Sequence, residues 1–341
     1  MLRQSLLYLS QSPTARRMLT ETPVSRRFAE RFVAGESLED AIRAARPLNQ
    51  AGLSVTLDYL GESVTNRGAA LAASEMAVRT LEAIAAEKIT GNVSLKPTQL
   101  GLDIDEEFCL ENIERILTRA RELSDEEGEI FVRLDMESSA YTERTIGLIE
   151  SLWERGHRNV GTVVQSYLRR TLDDVRRLNL LGSRVRLVKG AYDEPPGVAF
   201  PAKAEVDASF LRAMQILLRE GVYPAIATHD EDLISATRNY AFEHGIPRDS
   251  FEFQMLYGIR RDLQQRLREE GYNVRTYIPF GNSWYPYLMR RMAERPANLL
   301  FVAGSLIRES PARYVTRPLA VGAGILTGTF AALAWRGRDS H

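Results

Sequence analysis

The chain has 341 residues, with 44 Lys and Arg against 45 Asp and Glu and a formal net charge of -1; at about 100–200 residues per domain, this suits two modest domains or one large barrel with additions. Hydrophobic residues at 44% and charged residues at 26% exclude a disordered chain, and interspersed charges of both signs argue against nucleic-acid binding, which needs a basic stripe. One cysteine, Cys109, excludes an internal disulfide and points to a reducing compartment, while four histidines without HxxxH or CxxC spacing argue against a zinc site.

In chain order, residues 1–19 carry Arg3, Arg16 and Arg17 around a short apolar stretch at 6–9, which reads as an amphipathic helix rather than a signal peptide. They open a helical arm expected over 1–48. Its last helix starts at Ser37, a capping residue followed by Glu39 and Asp40, which suit the positive helix end. Apolar, β-branched runs then recur at 53–57, 93–95, 130–134, 160–164, 185–188, 223–227, 251–255 and 274–278. Helical periodicity follows each of them, at 76–89, 106–122, 142–154, 172–180, 204–220, 232–244, 260–270 and 284–294. Strands alternating with helices imply parallel βαβ units with right-handed crossovers. Eight such units predict an α/β fold, a closed (β/α)8 TIM-like barrel over 49–310 with the N-terminal helical extension; an open doubly wound sheet would more usually stop at five to seven strands. A tail over 311–341 contains 17 uncharged residues, 319–335, at the lower edge of a membrane span. Its Gly and Ala content reads as a docking segment packed on the body, with peripheral membrane contact as the alternative. His157 and His244 sit in turns beside glycine and are expected at the surface, and Cys109 is expected as a small core residue.

In a barrel, the chemistry sits at the carboxyl ends of the strands. Just past the predicted strands come Asp58, Lys96, Asp135, Gln165, Lys189, Thr228 with His229, and Tyr257, with Tyr277 inside the last one. Charged and amide groups placed so regularly at one rim predict a single ligand site. The fifth strand closes with Arg186-Leu187-Val188-Lys189-Gly190-Ala191-Tyr192. Alternation puts Arg186 on the same side as Val188, and Gly190 lets backbone approach a flat ligand; a buried strand ending in a turn fits the same string. Arg290 and Arg291 are adjacent on a helix, about 100° apart. They fit either an exposed face, with Arg290 and Glu294 as an i,i+4 pair, or a clamp on one small carboxylate. The run Gly322 to Gly328 imitates a dinucleotide loop, but its third glycine falls one residue late and too little chain follows it.

The strings RLVKGAY (186–192), IATHD (226–230), FEFQMLYGIR (251–260) and YIPFGNSWYPYLMRRMAER (277–295) together resemble the flavin-dependent proline dehydrogenase family, in its monofunctional branch. SLKPTQLG (94–101), VRLDME (132–137) and TVVQSYL (162–168) agree in order and position. The resemblance covers about residues 50–296. It implies a (β/α)8 barrel binding FAD and oxidation of L-proline to Δ1-pyrroline-5-carboxylate, the first step of proline degradation, by hydride transfer from C5 to flavin N5. It further implies a quinone as electron acceptor and a cytoplasmic protein able to dock on the inner face of the membrane. No signal in the chain specifies an oligomeric state.

Carried over by position, the resemblance makes Asp135 and Arg186 the catalytic pair. It gives the proline carboxylate to Arg290, Arg291 and Lys96, and the substrate pocket walls to Tyr277, Tyr287, Leu256 and Tyr192. It gives FAD contacts to Met136, Gln165, Arg186, Lys189, Gly190, Ala191, Thr228 and His229. Asp135, among cations, is expected to stay ionised, balancing Lys96 and bonding a pocket tyrosine. Two other classes fit parts of the pattern. A Schiff-base lyase would use Lys189 or Lys96 as the amine, with a pKa lowered by Arg186. A non-catalytic amino-acid-binding protein would leave Gln165, Thr228 and His229 without a role.

Overall fold

The computed structural model describes residues 30–124 and 128–294. Most of the expected arm, the whole 311–341 tail and the glycine run at 322–328 lie outside these residues. The chain divides into two compact units. One runs from Ala29 to Trp284, and the other combines Met1–Phe28 with Tyr285–His341.

The first unit is a closed parallel barrel of eight strands: β1 (Ser54–Tyr59), β2 (Gly91–Leu95), β3 (Val132–Leu134), β4 (Val160–Gln165), β5 (Val185–Val188), β6 (Ala225–Ala227), β7 (Glu252–Leu256) and β8 (Asn273–Phe280). Each strand pairs with its sequence neighbour, and β8 closes on β1 with Thr56 opposite Tyr277. The helices are α1 (Leu38–Gln50) before the barrel, then α2 (Arg67–Ala86), α3 (Glu106–Glu122), α4 (Ser139–Glu154), α5 (Thr171–Leu181), α6 (Lys203–Glu220), α7 (Glu231–Glu243) and α8 (Arg261–Glu269). The expected fold is therefore the observed one. Among the described residues one more helix, α9 (Trp284–Glu294), leads into the second unit.

Alternation along the strands builds two different surfaces. Val55, Leu57, Val93, Leu95, Val132, Leu134, Leu187, Phe253 and Met255 join helix residues such as Ile84, Ile113, Ile149 and Leu217 in one continuous hydrophobic core. Fully burying such a side chain contributes about 1.5–3 kcal/mol, so this layer holds helices to strands. The alternate positions, including Thr56, Asp58, Ser94, Arg133, Arg186, Glu252, Gln254 and Arg275, are polar, and most of them are buried. The barrel interior is thus a hydrogen-bonded core rather than the usual packing of branched apolar side chains.

Caps set several helix starts. Ser37 Oγ accepts from Asp40 N while Asp40 accepts from Ser37 N, a capping box that opens α1 as expected. Asp105 Oδ1 accepts from Phe108 N at the start of α3. The start of α2 differs from the sequence reading: it begins at Arg67, not 76, because Asn66 Oδ1 accepts from Ala69 N. Its first turns are alanine-rich, so periodicity is weak there. His157 also departs from expectation. It is 7% exposed, between Arg121 Nη2 at 3.1 Å and Glu114 Oε1 at 3.5 Å. Side chains from α3 cover the turn that precedes β4, and burial lowers the imidazole pKa. His244 is exposed and Cys109 is buried in the core, as expected from the sequence.

Candidate active site

The carboxyl ends of the strands gather a compact charged network. Asp58 is the inward residue near the end of β1, Lys96 and Asp135 directly follow β2 and β3, and Arg186 and Tyr277 stand on β5 and β8. Asp135 is the hub. Its Oδ1 accepts from Arg186 Nη1 at 2.9 Å and from Ser94 Oγ at 2.9 Å; its Oδ2 accepts from the Tyr277 hydroxyl at 2.7 Å and lies 3.6 Å from Lys96 Nζ. Lys96 Nζ donates to Asp58 Oδ1 at 2.7 Å. The Arg186 guanidinium lies 5.2 Å from the Tyr277 ring centroid, within cation–π range.

Burial sets the electrostatics of this group. It disfavours the charge on Lys96, but Asp58 and then Asp135 more than compensate, so the ammonium is held above its ordinary pKa. Burial also opposes ionisation of Asp135, and the Lys96 and Arg186 charges, with hydrogen bonds from Tyr277 and Ser94, outweigh it and lower its pKa. Asp58 goes the other way: burial, reinforced by the Asp135 charge, raises its carboxyl despite Lys96. The Tyr277 phenol is pushed well up by burial and by both carboxylates, so it is a donor and not a base. A Schiff-base lysine needs a depressed pKa. Lys96, salt-bridged to two carboxylates, is the opposite case, which removes the lyase reading for that residue.

The other predicted rim residues fall beside this network. Met136 is buried, and Gln165 Nε2 donates to the Glu137 carbonyl at 2.8 Å. Lys189 Nζ sits 2.6 Å from Asp207 Oδ1 and 2.8 Å from Asp230 Oδ2, so it too is a paired cation. Gly190 has φ +117, and a Cβ there would meet the Tyr167 ring at 2.2 Å, so only glycine fits. Ala191 and Tyr192 are half-buried in the loop after it. Thr228 Oγ1 accepts from Asp230 N at 3.1 Å. His229 Nε2 accepts from Leu256 N at 2.9 Å, which leaves Nδ1 as the protonated nitrogen and ties β6 to β7. Tyr287, Arg290 and Arg291 lie on α9 in the second unit, where the Arg291 guanidinium stands 5.3 Å from the Tyr287 ring centroid.

Two parts of the site escape a reading of the sequence. Asp58 is visible at the rim without a role; it is the closest partner of Lys96. Glu137 stands out only as the last letter of VRLDME, and it is a buried carboxylate that binds Thr98. Both stand two residues from another inward-facing polar position, and that spacing is the available signal.

Residues 41–304 match the family described as Proline dehydrogenase. The chain belongs to the proline dehydrogenase family. Proline dehydrogenase 1 of Bacillus subtilis (strain 168) is 40% identical over 309 residues, covering 91% of this chain and 100% of that protein. Proline dehydrogenase of Deinococcus radiodurans is 40% identical over 310 residues, 90% of this chain and 98% of its own length. Among solved structures, proline utilization A (PutA) from Bdellovibrio bacteriovorus inactivated by N-propargylglycine aligns with a TM-score of 0.73 at 26% identity. That alignment takes in 87% of this chain and 35% of the PutA chain, so this chain spans about a third of that protein.

Proposed function

We propose that this proline dehydrogenase oxidises L-proline to Δ1-pyrroline-5-carboxylate with FAD and passes the electrons to a quinone. The observation that carries the reading is the Asp135 hub, which holds Lys96, Arg186 and Tyr277 at one strand-end face. Arg186 suits an electron-rich ring: its Nε and Nη2 are buried and have no hydrogen-bond partner among the described residues. Buried guanidinium donors are costly unless a ligand satisfies them. Gly190, four residues on, is held bare by the Tyr167 ring, which packs where a Cβ would stand.

On this reading Arg186, Met136, Gln165, Lys189, Gly190, Ala191, Thr228 and His229 hold the cofactor. Bound FAD supplies the two-electron acceptor for the substrate C5–H bond. Lys96, Arg290 and Arg291 take the substrate carboxylate; Tyr277, Tyr287, Leu256 and Tyr192 wall the ring. Asp135 stays ionised and fixes the orientation of both Lys96 and Arg186. It acts as an electrostatic partner, because both of its oxygens are committed to donors.

The purified protein should be yellow, bleach when titrated anaerobically with proline, and recover colour with a soluble quinone analogue. A colourless protein that neither takes up FAD nor responds to proline overturns the reading. Arg291→Met should raise the proline KM by about 10- to 100-fold, the loss of a charge-assisted hydrogen bond. Steady-state kinetics with a soluble dye acceptor read this directly, and an unchanged KM would remove Arg291 from the substrate site.

A further inference from the structure

The loop from β3 to α4 holds a second buried carboxylate that the reaction as described does not use. Glu137 is 5% exposed, and both of its oxygens serve one residue. Thr98 N donates to Oε1 at 3.1 Å and Thr98 Oγ1 donates to Oε2 at 2.7 Å. Thr98 is itself fully buried and turns its other capacity toward the β1–α2 loop. Its Oγ1 accepts from Ser63 N at 2.9 Å, and its carbonyl accepts from Val64 N at 3.2 Å. On the far side, the Glu137 carbonyl accepts from Gln165 Nε2. One residue pair therefore joins the carboxyl ends of four consecutive strands, β1 to β4.

A buried carboxylate is a costly way to hold a loop, since two apolar side chains would fill the space more cheaply. What it supplies is direction: two hydrogen bonds from one partner fix both its position and its rotation. The tethered loop needs such an anchor. Ser63 has φ 56, in the left-handed region that a serine does not favour, so its local preference does not hold it there. Thr98 also lies in the 3-10 turn Pro97–Leu100, whose N-cap residue is Lys96; the Lys96 carbonyl accepts from Gln99 N at 3.0 Å. The same anchor thus bears on Lys96, on Gln165 and on the loop that follows Asp58.

We propose that Thr98 and Glu137 are positioning residues for substrate binding. The pair locks the 60–66 loop and the Lys96 turn against the ends of β3 and β4. This rests on the reading of Lys96 as a carboxylate ligand, and it adds that Lys96 works only when its turn is pinned from the β3 side.

The test uses the full chain with FAD. Thr98→Val keeps the shape and removes the hydroxyl; it should raise the proline KM about 10-fold and leave kcat within about 2-fold. Hydrogen exchange at the Ser63 and Val64 amides should accelerate in the same variant. Thr98→Ser, which keeps the hydroxyl, should restore both. Glu137→Gln leaves one Thr98 donor facing an amide NH2 and should give an intermediate KM; it carries the same test if Thr98→Val does not fold. A wild type that proline does not bleach overturns the enzymatic reading. A wild type that bleaches, with a Thr98→Val variant of unchanged KM and unchanged exchange, overturns this inference. So does a Thr98→Ser variant that fails to rescue, which would mark the residue as packing alone.

Discussion

The barrel holds two charged layers, one inward position apart, and they are finished differently. In the lower layer Glu252 accepts from Arg275 Nε with both oxygens, at 2.9 and 3.0 Å, and Arg275 Nη1 donates to the Val55 carbonyl at 2.8 Å. Arg133 Nη1 donates to the carbonyls of Thr162 and Arg184 at 3.0 and 2.6 Å. Gly161 allows this crowding, since a Cβ there would lie 2.2 Å from the Arg184 carbonyl. In the upper layer three buried atoms, Asp58 Oδ2, Arg186 Nε and Arg186 Nη2, lack a partner among the described residues, against only Arg133 Nε below. The lower layer spends its donors on the fold. The upper layer keeps donors and an acceptor in reserve at the strand ends, where a ligand would satisfy them. Similar residue types thus serve stability in one place and recognition in the other.

Two substitutions break the comparison most sharply. Asp135→Asn removes the hub charge and should lower kcat/KM on the order of 10²–10³-fold. Its cost in stability should be smaller than that of a lower-layer change, because Asp58 still pairs with Lys96. Glu252→Gln removes the carboxylate that pairs with half-buried Arg275 and should cost about 3–5 kcal/mol of stability, with kcat/KM of the folded protein close to wild type. Urea unfolding and dye-coupled kinetics on both variants decide the matter. Equal activity losses would mean that the layers act as one.

Acid sharpens the contrast. Burial raises the Glu252 carboxyl, but the Arg275 charge, hydrogen bonds from Arg275 and Gln254, and the Arg133 charge together outweigh it, and the net shift is downward. Its stabilisation is therefore complete above the unfolded value of about 4.3 and is lost as pH falls through the lower folded value. Wild type and Glu252→Gln should converge in stability in that acid range. Divergence on acidification would reverse the assignment.

The smallest effect concerns Asp58, whose pKa is raised, first by burial. The fold then prefers its protonated form, so this group costs stability as pH rises from the unfolded value, about 3.9, through the folded one. Asp58→Asn should remove that decline, giving a flatter stability profile toward neutral pH. A steeper profile would mean that Lys96 holds Asp58 ionised throughout.

Much of the barrel is legible in the sequence. The α3 limits, Glu106–Glu122, coincide with the stretch of helical periodicity, because a strong apolar stripe and the Asp105 cap agree locally. The rim residues Lys96, Asp135 and Arg186 are legible for a similar reason: each follows or lies within a short β-branched run. His157 is not, because nothing in its own turn announces Arg121 and Glu114 arriving from α3, 36 and 43 positions back.

By itself the sequence determined eight strand–helix units, their order, and which residues stand at their carboxyl ends, since periods of 2.0 and 3.6 residues are local properties of the chain. Only the tertiary structure decided that the tyrosine Asp135 bonds is Tyr277 and that Arg186 shares the same carboxylate, that Asp58 is the weaker acid beside it, and that Glu137 meets Thr98. Those contacts cross the barrel between residues up to 142 positions apart. They depend on strand register and on β8 closing against β1, which the alternation pattern of each strand alone does not encode.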